Sequence, residues 1–272
     1  YQIISGYKRY LVFEELEKQN IACLIYEANE LSPEKAFLLN VHDNASARTL
    51  NLIEKYNVLD KLKQLTAMRE DEHVDKIMPL LGEMPSYKAY HQLLSLNQLT
   101  EPMKRHALQQ NIALSAASRI AEFTPSTQQA LLGVLSQIQP STAKLNELLN
   151  LIREISARDG MSVEDILSRY RLLEVVTNQE SSALEKTRAL REALRGIRLP
   201  KLTERQRYLT DLIDGLNLPM SAKIHTDPYF ENEKIKLEYQ FSQPEELDEL
   251  VKKIQVAFKK QRWQQIFDWY KA

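Results

Sequence analysis

VDKIMPLLGEMPSYKAYHQLLSL, residues 74–96, is the stretch on which the fold turns. Apolar residues recur at helical spacing on both sides of Gly82, which predicts two amphipathic helices joined by a tight turn. Ile77, Leu80 and Leu81 make the inner face of the first helix. Gly82 suits the turn because it has no Cβ to clash at positive φ. Pro85 and Ser86 open the second helix, with Ser86 as its N-cap. Ala89, Leu93, Leu94 and Leu96 turn that helix inward and leave Tyr87, Lys88, Tyr90, His91 and Gln92 for the outside. A helix-turn-helix that reads DNA uses such a set. Lys88 suits phosphate or guanine, Gln92 suits adenine, and the tyrosine hydroxyls and the Ser86-capped helix start suit phosphates. An ordinary helical hairpin has the same spacing, so on this motif alone both readings stand.

The flanking chain has three textures. Residues 71–176 offer no strand pattern and read as helices broken at Gly82–Pro85, Glu101-Pro102, Thr124-Pro125, Gln139-Pro140 and Asp159-Gly160. Residues 1–70 alternate strand and helix: YQII at 1–4, an amphipathic stretch at 7–19, IACLIY at 21–26, then helices after Ser32-Pro33 and from about Leu50 to Arg69. A strand at the first residue needs partners, which are expected upstream. Beyond a polar linker at Thr177–Ser182 comes a basic helix that ends near Gly196 and Pro200. Two alternating strands follow, Ala222–Thr226 and Lys234–Phe241, turned by Pro228–Glu233, and then a helix capped by Ser242. A hairpin plus one helix is a small core that gains from a partner surface. The expected fold is α+β and mostly helical. Its parts are a small α/β unit at 1–70, an all-helical domain at 71–176, a basic helix and linker at 177–210, and a dimerising unit at 211–272.

Bulk properties exclude several classes. Of 272 residues 43% are hydrophobic and 27% charged, the balance of a globular chain rather than a disordered one. Apolar runs such as 21–26 fall far short of the roughly 20 residues of a membrane span, so no membrane partner is expected. The single cysteine, Cys23, forbids an internal disulfide and fits a reducing, cytoplasmic setting; its apolar neighbours predict a core position. His42, His73, His106 and His225 have no ligand spacing, and no Walker loop or nucleophile elbow is present. The net charge of −1 hides a local excess: Lys186, Arg188, Arg191, Arg195, Arg198, Lys201, Arg205 and Arg207 stand against three acids between Leu184 and Tyr208. Arg188, Arg191, Arg195 and Arg198 share a helix face. They suit DNA phosphates, or equally a solvated face with Glu185 and Glu192 as intrahelical partners.

Two further motifs complete the pattern. Ile4-Ser5-Gly6-Tyr7-Lys8-Arg9 runs from a strand-like segment into a helix start, where glycine, free N–H groups and basic side chains suit phosphate. Asp43-Asn44-Ala45-Ser46-Ala47-Arg48-Thr49-Leu50-Asn51-Leu52-Ile53-Glu54 offers hard oxygen ligands, or else a polar loop that caps the next helix. With Leu94–Leu99 and Ile112–Ala117, and in this order over essentially the whole chain, these stretches resemble the ParB-type chromosome and plasmid partition proteins. Gly6, Arg9, Asn44, Leu50, Asn51, Ile53 and Glu54 match that family's motifs, and Asp43 shortens its glutamate. Tyr7 replaces a glutamate and Ala47 an arginine, with Arg48 one place later.

The resemblance implies a nucleotide site at Gly6, Lys8, Arg9, Asp43, Asn44 and Arg48, taking CTP with Mg2+ held by Asp43 and Asn44. It also implies Lys104, Arg105 and Arg119 as phosphate contacts beside the helix-turn-helix, and a homodimer on the nucleoid working with a partition ATPase. Nucleotide-dependent clamping on DNA would be the mechanism; Tyr7 and Ala47 leave CTP hydrolysis open. Two alternatives remain. One is a helix-turn-helix transcriptional repressor with a degenerate nucleotide site. The other is an enzyme on the same N-terminal scaffold, which sulfiredoxins share, although Tyr7 and Lys8 stand where a sulfiredoxin needs cysteine.

Overall fold

The computed structural model describes residues 1–27, 29–177, 180–232 and 234–271. Part of the expected linker, residues 178 and 179, and the last residue of the expected hairpin turn, 233, lie outside the described residues. The described chain is mostly helical, with a small two-stranded antiparallel sheet. It divides into two compact units, residues 1–190 and 191–272.

The first unit opens with α1 (Tyr7–Glu15), α2 (Pro33–Ala47) and α3 (Leu52–Leu65). Local chemistry sets their starts. Ser32 Oγ accepts from Lys35 N at 3.3 Å ahead of Pro33, and Asn51 and Glu54 form a reciprocal capping box at α3. Each such cap holds a helix end by about 1 kcal/mol. Two expectations fail here. Residues 1–4 and 21–26 are not strands, and among the described residues of 1–70 there is no strand. Ile21, Leu24, Ile25 and Tyr26 are exposed, and so is Cys23, which therefore is not a core residue. Branched and aromatic residues make a strand only when a neighbouring edge takes up their backbone bonds, and no such edge lies beside them among the described residues.

A helical stretch follows: α4 (Glu70–Glu72), a π-helical turn (His73–Ile77) and α5 (Met78–Leu80). After the turn come α6 (Tyr87–Ser95) with a 3-10 turn (Leu96–Gln98), α7 (Glu101–Gln109), α8 (Leu114–Ala121), α9 (Pro125–Leu135), α10 (Thr142–Asp159), α11 (Val163–Arg169) and α12 (Leu172–Thr177). The expected breaks are found, with Gly160 left-handed at φ 63° behind α10, and two further ones fall at 110–113 and 170–171. Leu59 and Leu62 of α3, Met78, Leu93, Leu96, Met103 and Ile120 are fully buried together with Leu131, Leu148, Leu149, Ile155 and Ile166. α6 packs on α3 and α8, and α8 on α10. Among the polar groups in this interior, one stitches the backbone together. Gln128, 0% exposed, accepts from Thr100 N at 2.8 Å and donates to the carbonyls of Gln98 and Phe123, both at 2.9 Å. Its side chain thereby satisfies three backbone groups that no helix ladder reaches.

α13 (Ala183–Arg198) spans the division between the units, its start boxed by Ser182 and Glu185. The second unit continues with α14 (Pro200–Asp214), strands β1 (Ala222–His225) and β2 (Lys236–Tyr239), α15 (Pro244–Lys259) and α16 (Arg262–Lys271). The strands pair antiparallel, Ala222 opposite Tyr239 and His225 opposite Lys236. Leu209, Leu216, Ala257, Trp263, Ile266 and Tyr270 form its core. The closing WQQIFDWY is thus a second helix packed on α14, and the unit is larger than a hairpin with a single helix.

Candidate nucleic-acid and nucleotide sites

Two places gather the residues singled out by sequence. The first is the outer face of α6. Gly82 takes φ 72°, and its N–H donates to Pro79 O at 2.9 Å, closing the first helix. The turn is tied to α3 by a mostly buried pair, Lys55 Nζ to Glu83 Oε1 at 2.6 Å. Ser86 caps α6 by accepting from Ala89 N at 3.4 Å. Leu93 and Leu96 anchor the helix from below, which leaves Tyr87, Lys88 and His91 exposed and Gln92 half-buried.

Tyr90 corrects the expected set. It is 2% exposed and points into the unit, because it precedes Leu93 by three residues and so lies on the same side of the helix. Its ring lies 6.1 Å from that of His73, which is also 2% exposed. Burial lowers the His73 pKa, helped by the charge of Lys63, and raises that of Tyr90. Both are therefore neutral structural groups at neutral pH, and sequence reasoning missed the role of His73. Its signal was position: it precedes Ile77 by four residues on the inner stripe.

The face also has a competitor for its imidazole. His91 Nε2 lies 3.0 Å from Glu70 Oε1, and Asp71, Glu72 and Asp75 make the start of the preceding helical stretch acidic. That acidic stretch does not suit a polyanion, and the suitable charges lie on α6 and beyond it. Of the three flanking cations, Arg105 is exposed on α7. Lys104 is mostly buried, with Nζ 2.8 Å from Glu101 and 6.0 Å from the Tyr56 ring centroid. Arg119 on α8 donates to Asn150 Oδ1 of α10. Lys104 and Arg119 each have a protein partner to give up before meeting phosphate.

The second place is the turn before α1. Gly6 is left-handed at φ 85° and precedes the helix with no side-chain cap, leaving the N–H groups of Tyr7, Lys8 and Arg9 without intrahelical acceptors. α2 holds this turn. Asn40 Nδ2 donates to Ile4 O at 2.6 Å, Ser5 Oγ donates to Asp43 Oδ2, and Arg9 Nη2 stands 3.5 Å from that same oxygen. The structure thus brings Gly6, Arg9 and Asp43 together. Asn44 lies one residue on, its amide donating back to Asn40 O at 2.8 Å. Asp43 and Asn44 sit inside α2, not in a loop.

Arg48 is committed elsewhere. It grips Glu54 through two bonds of 2.7 and 2.8 Å, and that pairing holds the Glu54 carboxyl below the usual carboxylate range. Lys8 acts on Glu54 in the same direction. The Arg9 guanidinium folds over the turn, so close that a Cβ on Gly6 would meet it at 3.2 Å. Free N–H groups with Lys8 and Arg9 suit phosphate oxygens. Among the described residues no three His, Cys, Asp or Glu side chains stand together as a metal cage. One carboxylate fits a Mg2+ whose other ligands are phosphates and water, and does not fit a resident ion held by protein alone.

No helix of the described residues is long and apolar enough to cross a membrane. No protein-family model matches the chain, and neither a known protein nor a solved structure is significantly similar to it.

Proposed function

We propose that this protein binds a specific site on double-stranded DNA in the manner of the ParB-type partition proteins. One observation carries the reading: α6 is a capped helix seated on a core, with Tyr87, Lys88 and His91 exposed and Gln92 half-buried beside them. Side chains on a fixed helix can match base edges, whereas the same residues on a loop could not hold register. A homodimer through residues 211–272 belongs to this proposal. It is supported by Leu247, Val251 and Phe258, which are exposed at helical spacing along α15. A cytoplasmic, nucleoid-bound place of action and a partition ATPase as partner follow from the family resemblance alone.

Selection from a random duplex pool tests the DNA claim. The chain should enrich one motif. Lys88→Ala and Gln92→Ala should each weaken the selected site by about 1–3 kcal/mol while affecting random duplex less. Enrichment of nothing, or equal losses on both duplexes, would sink it.

The finer proposal is a CTP-dependent clamp, with phosphates received by the Gly6–Arg9 turn and Mg2+ by Asp43. A specific observation favours the repressor reading beside it: Arg9 already covers the turn and pairs with Asp43. Calorimetric titration with CTP and Mg2+ separates the two. Heat that vanishes in Arg9→Ala supports the clamp, and no heat with DNA binding intact leaves the repressor.

A further inference from the structure

The second unit carries a basic surface that the α6 reading does not use. Between residues 191 and 208 stand six basic side chains, Arg191, Arg195, Arg198, Lys201, Arg205 and Arg207, against Glu192 and Glu204. The rest of the chain holds 30 basic and 35 acidic residues, so this excess stands out from an acidic background. Arg191, Arg195 and Arg198 follow one another at four- and three-residue steps on α13 and so share a face. α14 begins two residues after α13 ends, and at the corner a Cβ on Gly196 would meet the Thr203 side chain at 3.7 Å. Arg195 and Arg198 precede this corner and Lys201 follows it.

Arg205 on α14 is held differently. Its guanidinium lies 5.3 Å from the Phe230 ring and 5.0 Å from the Trp269 ring. A guanidinium stacked on rings loses little freedom when its N–H groups meet an oxyanion. Two ordinary explanations cover part of the pattern. Arg195 and Arg198 favour the negative end of α13, and Arg191, Arg195 and Arg198 each have a partner in the free chain. Neither explains why the excess continues into α14, whose first turn holds Lys201 although a helix start disfavours cations, and which carries Arg205 and Arg207 beyond it.

We infer that the α13–α14 corner of the second unit is a sequence-independent docking surface for the phosphate backbone of duplex DNA. The inference rests on the DNA reading of α6 for the identity of the polyanion, and assigns to a separate surface the salt-sensitive part of the affinity. The partners that Arg191, Arg195 and Arg198 hold in the unbound chain are exchanged for phosphates on binding, and condensed counterions are released from the duplex.

The test uses the full chain and a random-sequence duplex, with the dissociation constant measured across about 50 to 200 mM salt. The triple variant Arg195→Gln, Arg198→Gln, Lys201→Gln should flatten the log–log salt slope by about 3, nearly one for each phosphate no longer neutralised. The charge-retaining pair Arg195→Lys, Arg198→Lys should keep the slope, which separates removal of charge from a damaged helix. An unchanged slope in the triple variant overturns the inference while leaving α6 as a reader. So does a slope flattened equally in the lysine pair. Absence of any duplex binding by the unaltered chain at low salt overturns both.

Discussion

α6 and the Gly6 turn are both read as places that meet phosphate, yet they are built in opposite ways. Beneath α6 lie Leu93, Leu96 and Tyr90, and its entry turn is pinned to α3 through Lys55 and Glu83. Beside the Gly6 turn no residue of α1 is buried, and Tyr7, Leu11, Val12 and Phe13 stand exposed. The turn is held by hydrogen bonds to one helix, from Asn40 and to Asp43. Apolar burial supplies about 25 cal/mol per Å², whereas an exposed polar pairing nets little. α6 is therefore a fixed platform, and the Gly6 turn depends on whatever else comes to pack on it.

The sharpest way to break that contrast is to truncate one leucine in each region. Leu93→Ala, at 0% exposure, should cost about 2–5 kcal/mol in urea unfolding. Leu24→Ala, at 86% exposure, should change stability by less than about 0.5 kcal/mol. Similar costs would mean that residues 1–27 are as well packed as α6. Next in size is Glu83→Ala, which leaves the mostly buried Lys55 ammonium without its 2.6 Å partner and should cost about 2 kcal/mol. Glu83→Gln should recover part of that loss in the same melts.

Ser86→Ala should cost about 1 kcal/mol by removing the α6 cap. It should also weaken specific DNA binding, since the helix start frays where Tyr87 and Lys88 sit. The smallest effect is a gradient with pH. His73 and His106 have pKa values pushed down by burial, so each binds a proton more readily in the unfolded chain. Their stabilising contribution is complete above the ordinary imidazole value of about 6.5 and is lost as pH falls below it. The Tm should fall with acidification from about pH 6.5, and His106→Leu should flatten that fall. A rising Tm over the same range would contradict the buried placement of both rings.

How far the sequence could be read varies along the same divide. The helix at 87–95 was legible because amphipathic spacing, a serine cap and the Gly82 turn are all local signals. Tyr90 was misplaced because its hydroxyl suits a groove, although its phase matched Leu93. The strands expected at 1–4 and 21–26 are absent because β-rich composition states a preference that only a neighbouring edge can satisfy. Asp43, read as a Mg2+ ligand or else as part of a polar capping loop, lies in helix α2, and its meeting with Ser5 and Arg9 spans more than thirty residues of separation.

By itself, then, the sequence determined most of the helices of residues 71–176, their caps and breaking glycines, and most of the apolar face of each. Those properties are fixed within three or four residues, by caps, glycines and side-chain spacing. Tertiary structure alone decided which polar residues are used up and which are presented. Gln128 is spent on three backbone groups, Lys104 on Glu101, Arg48 on Glu54 and Tyr90 on the core, while Lys88 and His91 reach the surface. The reason is that a charged or polar group acts through its nearest partner, and for most of these that partner is set by packing rather than by position in the chain.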